Sequence, residues 1–212
     1  MAAENGHVEV VKLILQNVED KNPADTNGYT PMHLAAKAGK VEVFELITSN
    51  VHEKNPISKG GHTPLYMAAE GGRVEVVKLI LPTLDDKNPA NKDGFTAMHI
   101  AAKLGHLEVV KLILHNVDEK SPVDKNGRTP LHAAAENGHA EVVQLILQHV
   151  KDKNSANKKG LTPLHLAAKN GHIEVVQRIL DCVNDRHPKD ANGQTPLQCA
   201  IANNQSSVVQ LF

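Results

Sequence analysis

The chain has 212 residues, a formal net charge of −1, an aromatic content of 2% and 2 cysteines. A protein with a net charge this close to zero does not have the excess of basic residues that is typical of nucleic-acid-binding proteins, so we expect no nucleic-acid partner. No apolar run approaches the roughly 18 residues that a membrane-spanning helix needs, so we expect no membrane partner. The N-terminus shows no apolar signal-peptide core, and Cys182 and Cys199 have neither metal-ligand spacing nor a disulfide framework. These features predict an intracellular protein of the cytoplasm or nucleus.

One short motif returns along the chain at a constant interval. A fixed period without insertions is typical of a repeat array, in which each unit packs on its neighbours. In the copy Thr162-Pro163-Leu164-His165, threonine can cap a helix N-terminus. Proline suits the first helical position, because its missing N–H would be unpaired there anyway. Each copy therefore predicts a short helix, and the copies lie 33 residues apart, at Thr30, Thr63, Thr96, Thr129, Thr162 and Thr195.

The chain enters this pattern in the middle of a unit. Residues 1–7 resemble the end of a first helix, and the apolar pattern from Val8 to Leu15 predicts a second helix. We interpret the chain as a fragment of a longer array, or as one whose first half unit was trimmed. We expect a single domain, 1–212, made of a partial repeat 1–24, full repeats 25–57, 58–90, 91–123, 124–156 and 157–189, and a truncated, cap-like repeat 190–212.

Within each unit, a glycine marks the predicted end of the first helix, because glycine tolerates the left-handed conformation found there. On the second helix, Glu9 and Lys12 are three residues apart and are expected to pair on the solvent face. In the last unit, Gln198 replaces the histidine and Asn204 replaces the glycine, as expected of a polar cap. The predicted helix-ending glycines are Gly6, Gly39, Gly72, Gly105, Gly138 and Gly171.

The 33-residue period and the Thr-Pro-Leu-His-x-Ala core resemble the ankyrin repeat. The resemblance implies an all-α ankyrin-repeat solenoid of stacked helix–turn–helix units that are joined by β-turn fingers. It also implies protein binding without catalysis. The motif histidines are implied to form hydrogen bonds between the loops of adjacent repeats; they are His33, His99, His132 and His165.

The link between units departs from the family pattern. Val18 and Leu84 stand where the family commonly has glycine, so the second helix is expected to run on or to end differently there. Asparagines just before this point, Asn17, Asn50 and Asn116, are expected to act as left-handed caps instead.

No enzyme motif is found in the sequence. It contains no Gly-x-Gly-x-x-Gly, no phosphate loop, no His-Glu-x-x-His and no Gly-x-Ser-x-Gly. Histidine pairs such as His132 and His139 would lie about 10 Å apart even along one helix, too far to share a zinc ion. We therefore predict a non-catalytic protein with no cofactor and no metal.

Selectivity for a partner should come from residues that vary while the scaffold repeats. The residue before each threonine is expected to face a partner, or alternatively to cover a neighbouring finger; these residues are Tyr29, His62, Phe95, Arg128, Leu161 and Gln194. Leu104, before a helix-ending glycine, is a further candidate. Four lysines at one finger position suggest a basic ridge for an acidic segment, or simply soluble turns: Lys59, Lys92, Lys125 and Lys158.

A third set of residues alternates in charge without exception, which favours pairing between neighbouring first helices or a role in lining a groove. This set is Glu4, Lys37, Glu70, Lys103, Glu136 and Lys169. Taken together, the sequence predicts a monomeric scaffold that binds a segment of a protein partner along its concave helix and finger surface. The alternatives are a structural spacer or elastic array inside a larger protein, or an engineered scaffold.

Overall fold

The computed structural model describes residues 1–212 and contains helices joined by turns, with no β-strand. In chain order the helices are α1 (Ala2–Asn5), α2 (Val8–Asn17), α3 (Pro31–Ala38), α4 (Val41–Asn50), α5 (Pro64–Glu70), α6 (Val74–Ile80), a 3₁₀ turn (Leu81–Thr83), α7 (Ala97–Leu104), α8 (Leu107–Asn116), α9 (Pro130–Glu136), α10 (Ala140–His149), α11 (Pro163–Asn170), α12 (Ile173–Leu180), α13 (Pro196–Ala202) and α14 (Ser206–Val209). None of them combines the length and apolar character that a bilayer-spanning helix needs.

The residues form two compact units, Met1–Ala97 and Met98–Phe212. In the first unit, α3 packs between α1 and α5, and α4 packs between α2 and α6. In the second unit, α11 packs between α9 and α13, while α8, α10, α12 and α14 follow one another in a second layer. Each unit is therefore a stack of helix pairs with a first-helix layer and a second-helix layer, as the sequence predicted.

Small side chains make the first-helix layers thin. Paired alanines such as Ala68 and Ala69, or Ala167 and Ala168, have no exposed surface, so their helices approach closely without large side chains between them. The second helices supply branched aliphatic residues to the same core, for example Val143, which is also fully buried. This arrangement explains how a chain with so few aromatic residues buries a continuous apolar layer.

Each first helix of repeats two to seven begins at the residue after its motif threonine, as predicted. Oγ1 of Thr129 accepts a hydrogen bond from the N–H of His132, and Thr63, Thr162 and Thr195 cap their helices in the same way. All the predicted helix-ending glycines have positive φ, and Asn204, which replaces one of them, has a φ of 58°. It is the only non-glycine residue with positive φ in the chain.

The expectation that Asn17, Asn50 and Asn116 form left-handed caps is wrong. Each is the last residue of its helix, and its Nδ2 donates to the carbonyl four residues earlier, at 2.7–2.9 Å. The following valine is extended instead, with φ −116° at Val18 and −110° at Val117. Val117 is buried, so the extended conformation directs an apolar side chain into the core.

An acidic side chain then forms a turn in the link between successive repeats. Oδ1 of Asp20 accepts from the N–H of Asn22 at 3.0 Å, and the same turn recurs in the other links, with Asp or Glu as the acceptor. Such a turn replaces the left-handed glycine that the family commonly uses. Two links begin differently. Pro82 has no N–H to continue its helix, so α6 ends at Ile80 and a 3₁₀ turn follows, and α12 ends at Leu180 with Asp181 still in the right-handed helical region.

Candidate functional site

The turn before each motif threonine, here called the finger, holds the residue just before that threonine in the same way. In one finger, Oδ1 of Asp124 accepts from the N–H groups of Asn126 and Arg128, both at 2.8 Å. The Asp124 N–H donates to the Arg128 carbonyl at 2.9 Å. Equivalent bonds hold Tyr29, Phe95, Leu161 and Gln194, and a serine hydroxyl replaces the carboxylate or amide at His62. The backbone is therefore constant where the side chain varies.

Successive fingers within a unit are joined through the predicted lysine position. The N–H of Lys59 donates to the Asn27 carbonyl at 2.8 Å, that of Lys92 to Gly60 at 3.0 Å, and that of Lys158 to Asn126 at 2.9 Å. The four predicted lysines, Lys59, Lys92, Lys125 and Lys158, all expose their side chains. The backbone of this position is structural, and its side chain remains available to a partner.

The motif histidines join one repeat to the next, as the family resemblance implies. Nδ1 of His132 accepts from the N–H of Thr129 at 3.1 Å, so Nε2 carries the proton and donates to the Leu161 carbonyl at 3.0 Å. His33 and His165 form the same pair of bonds, and His99 likewise reaches the Arg128 carbonyl. Burial lowers the pKa of His132 to about 4, and it also lowers the pKa of the other three. These residues build the scaffold.

In the first unit, a row of rings lies along the fingers. Tyr29 Oη lies 2.7 Å from Nδ1 of His62, and the two rings are parallel with centroids 5.9 Å apart. The His62 ring also contacts Tyr66, with centroids 4.5 Å apart. Burial raises the pKa of Tyr66 to about 12, and the negative charge of Glu70 acts in the same direction. Tyr29 and His62 thus support each other across neighbouring fingers, and both remain half-buried, as does Phe95.

In the second unit, Arg128 and Leu161 line one surface cavity of about 370 Å³ together with Lys158. The Arg128 guanidinium forms an ion pair with Glu136 through Nη2, while its Nε has no hydrogen-bond partner. Three of the predicted binding residues therefore meet in one concave site. Lys159 and Leu166, which were not predicted as contacts, also line it, and so does Lys169, for which lining a groove was one of two alternatives.

The charged row is only partly a ladder between helices. Lys37 Nζ and Glu70 Oε2 form the expected pair at 2.8 Å, but Glu136 pairs with Arg128 of its own repeat.

Leu104, at the end of α7, is 43% exposed, so it remains accessible as an apolar contact. The predicted pair of Lys12 with Glu9 is present at 2.8 Å.

Two histidines that follow helix-ending glycines, His139 and His172, connect neighbouring repeats. Nε2 of His139 contacts the Lys103 carbonyl at 2.9 Å, and Nε2 of His172 contacts the Glu136 carbonyl at 3.0 Å. No group of three or more His, Cys, Asp or Glu side chains is placed to hold a metal ion.

Comparison with known proteins agrees with this geometry. The family model for ankyrin repeats matches residues 1–88, 38–121, 83–157 and 149–212, which together span the chain. The chain belongs to the ankyrin-repeat family. Ankyrin repeats are generally protein–protein interaction modules and are typically non-catalytic. A search of curated proteins found no match.

Sequence reasoning missed two parts of the ankyrin surface. Tyr66 occupies the place of the motif histidine in its repeat, and the broken Thr-Pro-x-His pattern was the available signal. Lys169 was grouped with the alternating charges, but it lies with Lys158 and Leu161 in the cavity. A one-dimensional pattern assigns a residue to a row and does not say which rows converge on one cavity.

Proposed function

We propose that this ankyrin-repeat chain is a scaffold that binds a segment of a protein partner through the residues before the threonines, the finger lysines and Leu104. One observation carries the proposal: equivalent backbone hydrogen bonds hold side chains that differ from repeat to repeat. A position that is constant in conformation and variable in chemistry is suited to selecting a partner. The side chains concerned are Tyr29, His62, Phe95, Leu104, Arg128 and Leu161, with Lys59, Lys92, Lys125 and Lys158.

Preorganisation supports the same function. The first side chain of each finger accepts hydrogen bonds from that finger's own backbone, and backbone hydrogen bonds join neighbouring fingers within each compact unit. Little backbone entropy therefore remains to be lost on binding. Aromatic rings and arginine at half-buried positions are typical interface anchors. We further propose that the chain is a non-catalytic monomer of the cytoplasm or nucleus, and the free thiols of Cys182 and Cys199 are consistent with a reducing compartment.

The proposal is tested by capture of partners from a native lysate. The variant Phe95→Ala, Leu104→Ala, Leu161→Ala should lose partners that the unmodified chain retains, with a melting temperature that is nearly unchanged. A matched control replaces three exposed apolar residues of the second helices, Val10→Ala, Leu13→Ala and Ile173→Ala. Undiminished capture by the well-folded first variant, or equal loss with the control, would contradict the proposed face.

A further inference from the structure

The cavity that Arg128 and Leu161 line, here called the Arg128–Leu161 cavity, is strongly cationic. Its lining includes four cationic side chains, Arg128, Lys158, Lys159 and Lys169, and one carboxylate, Glu136. Glu136 is engaged by Arg128, whereas none of the three lysines forms an ion pair. The chain as a whole is almost neutral, so this local excess of positive charge is a property of the cavity.

The three lysines come from two different elements of one repeat. Lys158 and Lys159 lie on the finger that starts at Asn157, whose Oδ1 accepts from the Lys159 N–H at 2.8 Å. Lys169 lies near the end of α11, on the same repeat. Their side chains are exposed, so an incoming anion can reach them with little loss of hydration. Several lysines without an ion-pair partner along one cavity match a segment that carries several carboxylates, because complementary charges favour the matching partner.

The same cavity also has an apolar part. Leu161 is half-buried at the finger, and Leu166, only 7% exposed, lies on the helix behind it. Both leucines line the cavity along with the lysines. An aliphatic or aromatic side chain that covers them would remove apolar surface from water, which a simple inorganic anion does not do.

We infer that the Arg128–Leu161 cavity receives an acidic peptide segment of the partner, with one apolar side chain against Leu161 and Leu166 and flanking carboxylates at Lys158 and Lys169. This inference rests on the proposed function and specifies the chemistry of the partner. Charge complementarity is the argument for this occupant. A nucleic-acid strand fits less well, because no aromatic ring lines the cavity to stack on a base, whereas two leucines line it.

The test is a display selection of random peptides of about a dozen residues on the full chain. A second selection uses the variant Lys158→Gln, Lys169→Gln. A third uses Lys111→Gln, Lys151→Gln, which removes the same charge from exposed lysines outside the cavity. We expect the unmodified chain and the control to enrich peptides with Asp or Glu around one apolar residue. The cavity variant should not enrich them.

A synthetic copy of the most enriched peptide is then measured by fluorescence anisotropy. Its affinity for the cavity variant should fall about fivefold at low salt, with a smaller dependence on salt. Affinity should also fall when the peptide's acidic residues become Gln and Asn, or when its apolar residue becomes Ala.

The outcomes separate the two proposals. Enriched peptides without an acidic bias, or acidic ones that bind the cavity variant equally well, overturn the acidic-segment inference and leave the binding function standing. Enrichment of no peptide overturns the binding of a partner segment and this inference with it. A single-stranded oligonucleotide that binds as tightly as the peptide, with the same loss in the cavity variant, overturns the inference in favour of a general polyanion site.

Discussion

His132 connects two fingers through its two ring nitrogens: Nδ1 accepts from the Thr129 N–H at 3.1 Å, and Nε2 donates to the Leu161 carbonyl at 3.0 Å. The ring is fully buried. Protonation would add an N–H at Nδ1, so the bond from the Thr129 N–H would be lost and Thr129 Oγ1, 2.9 Å from Nδ1, would become its acceptor. Burial disfavours the charged ring and the positive charge of Arg128 acts in the same direction, and together they outweigh the bond to Leu161 and lower the pKa of His132 to about 4.

The free energy of unfolding should fall as pH is lowered from about 6.5 towards 4. In this range the unfolded chain binds a proton at His132 that the folded chain does not, so acid favours unfolding. The contribution of His132 is fully present above the unfolded pKa near 6.5 and is lost as pH falls to the folded pKa of about 4. Its size is on the order of 3 kcal/mol, and urea unfolding at a series of pH values measures it.

The chain offers a matched control for the titration. Gln198 replaces the motif histidine in the last repeat, and its Oε1 accepts from the Thr195 N–H at 2.9 Å. His132→Gln should therefore keep the bond to Thr129 and lose the one to Leu161, at a cost of about 1–2 kcal/mol at pH 7. Its stability should depend less steeply on pH. An unchanged pH slope would show that His132 is not a source of the acid sensitivity.

Two glycines of similar conformation should respond differently to substitution. Gly105 and Gly193 both have a φ of +76°, but a Cβ on Gly105 would lie 2.6 Å from His139 Nδ1, whereas nothing lies within 4 Å at Gly193. Gly193→Ala should cost about 1 kcal/mol for the left-handed backbone alone. Gly105→Ala should cost about 2–3 kcal/mol because the contact of His139 with Lys103 is also disturbed, and Gly105→Val more. Equal urea midpoints for the two alanine variants would exclude the steric part.

Asp124 should tolerate replacement by asparagine and not by alanine. Its Oδ1 accepts two N–H groups, and its buried Oδ2 has no partner. Asn91 and Asn157 clasp their own fingers through Oδ1 alone. We expect Asp124→Asn to change the free energy of unfolding by less than about 0.5 kcal/mol, and Asp124→Ala to lower it by about 1–3 kcal/mol. A large loss in the asparagine variant would mean that the negative charge itself stabilises the finger.

The pair between Lys37 and Glu70 should contribute little. Its side chains are 51% and 31% exposed, so solvent weakens an attraction at 2.8 Å. A double-mutant cycle with Lys37→Ala and Glu70→Ala should give a coupling energy of about 0.5 kcal/mol at low salt. It should approach zero in about 1 M salt, where the Debye length is close to 3 Å. A coupling that persists in high salt would indicate a contact other than the ion pair.

The repeat and its helix boundaries were predictable because each depends on local chemistry. Threonine and proline start a helix, and glycine ends it, within a few residues of the position that they occupy. The caps of the second helices were predicted wrongly for the same reason. The asparagines there satisfy a local rule for left-handed caps, but the valine that follows is extended, and an acidic residue completes the turn.

The sequence alone determined the family, the stacked helix pairs and the rows of residues that vary at a fixed place in every repeat. The tertiary structure alone decided which of those residues meet. Glu136 was equally placed by sequence to pair with either neighbouring lysine, and it pairs with Arg128. Lys169 forms no ion pair with a member of the charged row and lines one cavity with Lys158 and Leu161. The period defines the backbone position of a residue, whereas its partner depends on side-chain reach and packing, which vary from copy to copy.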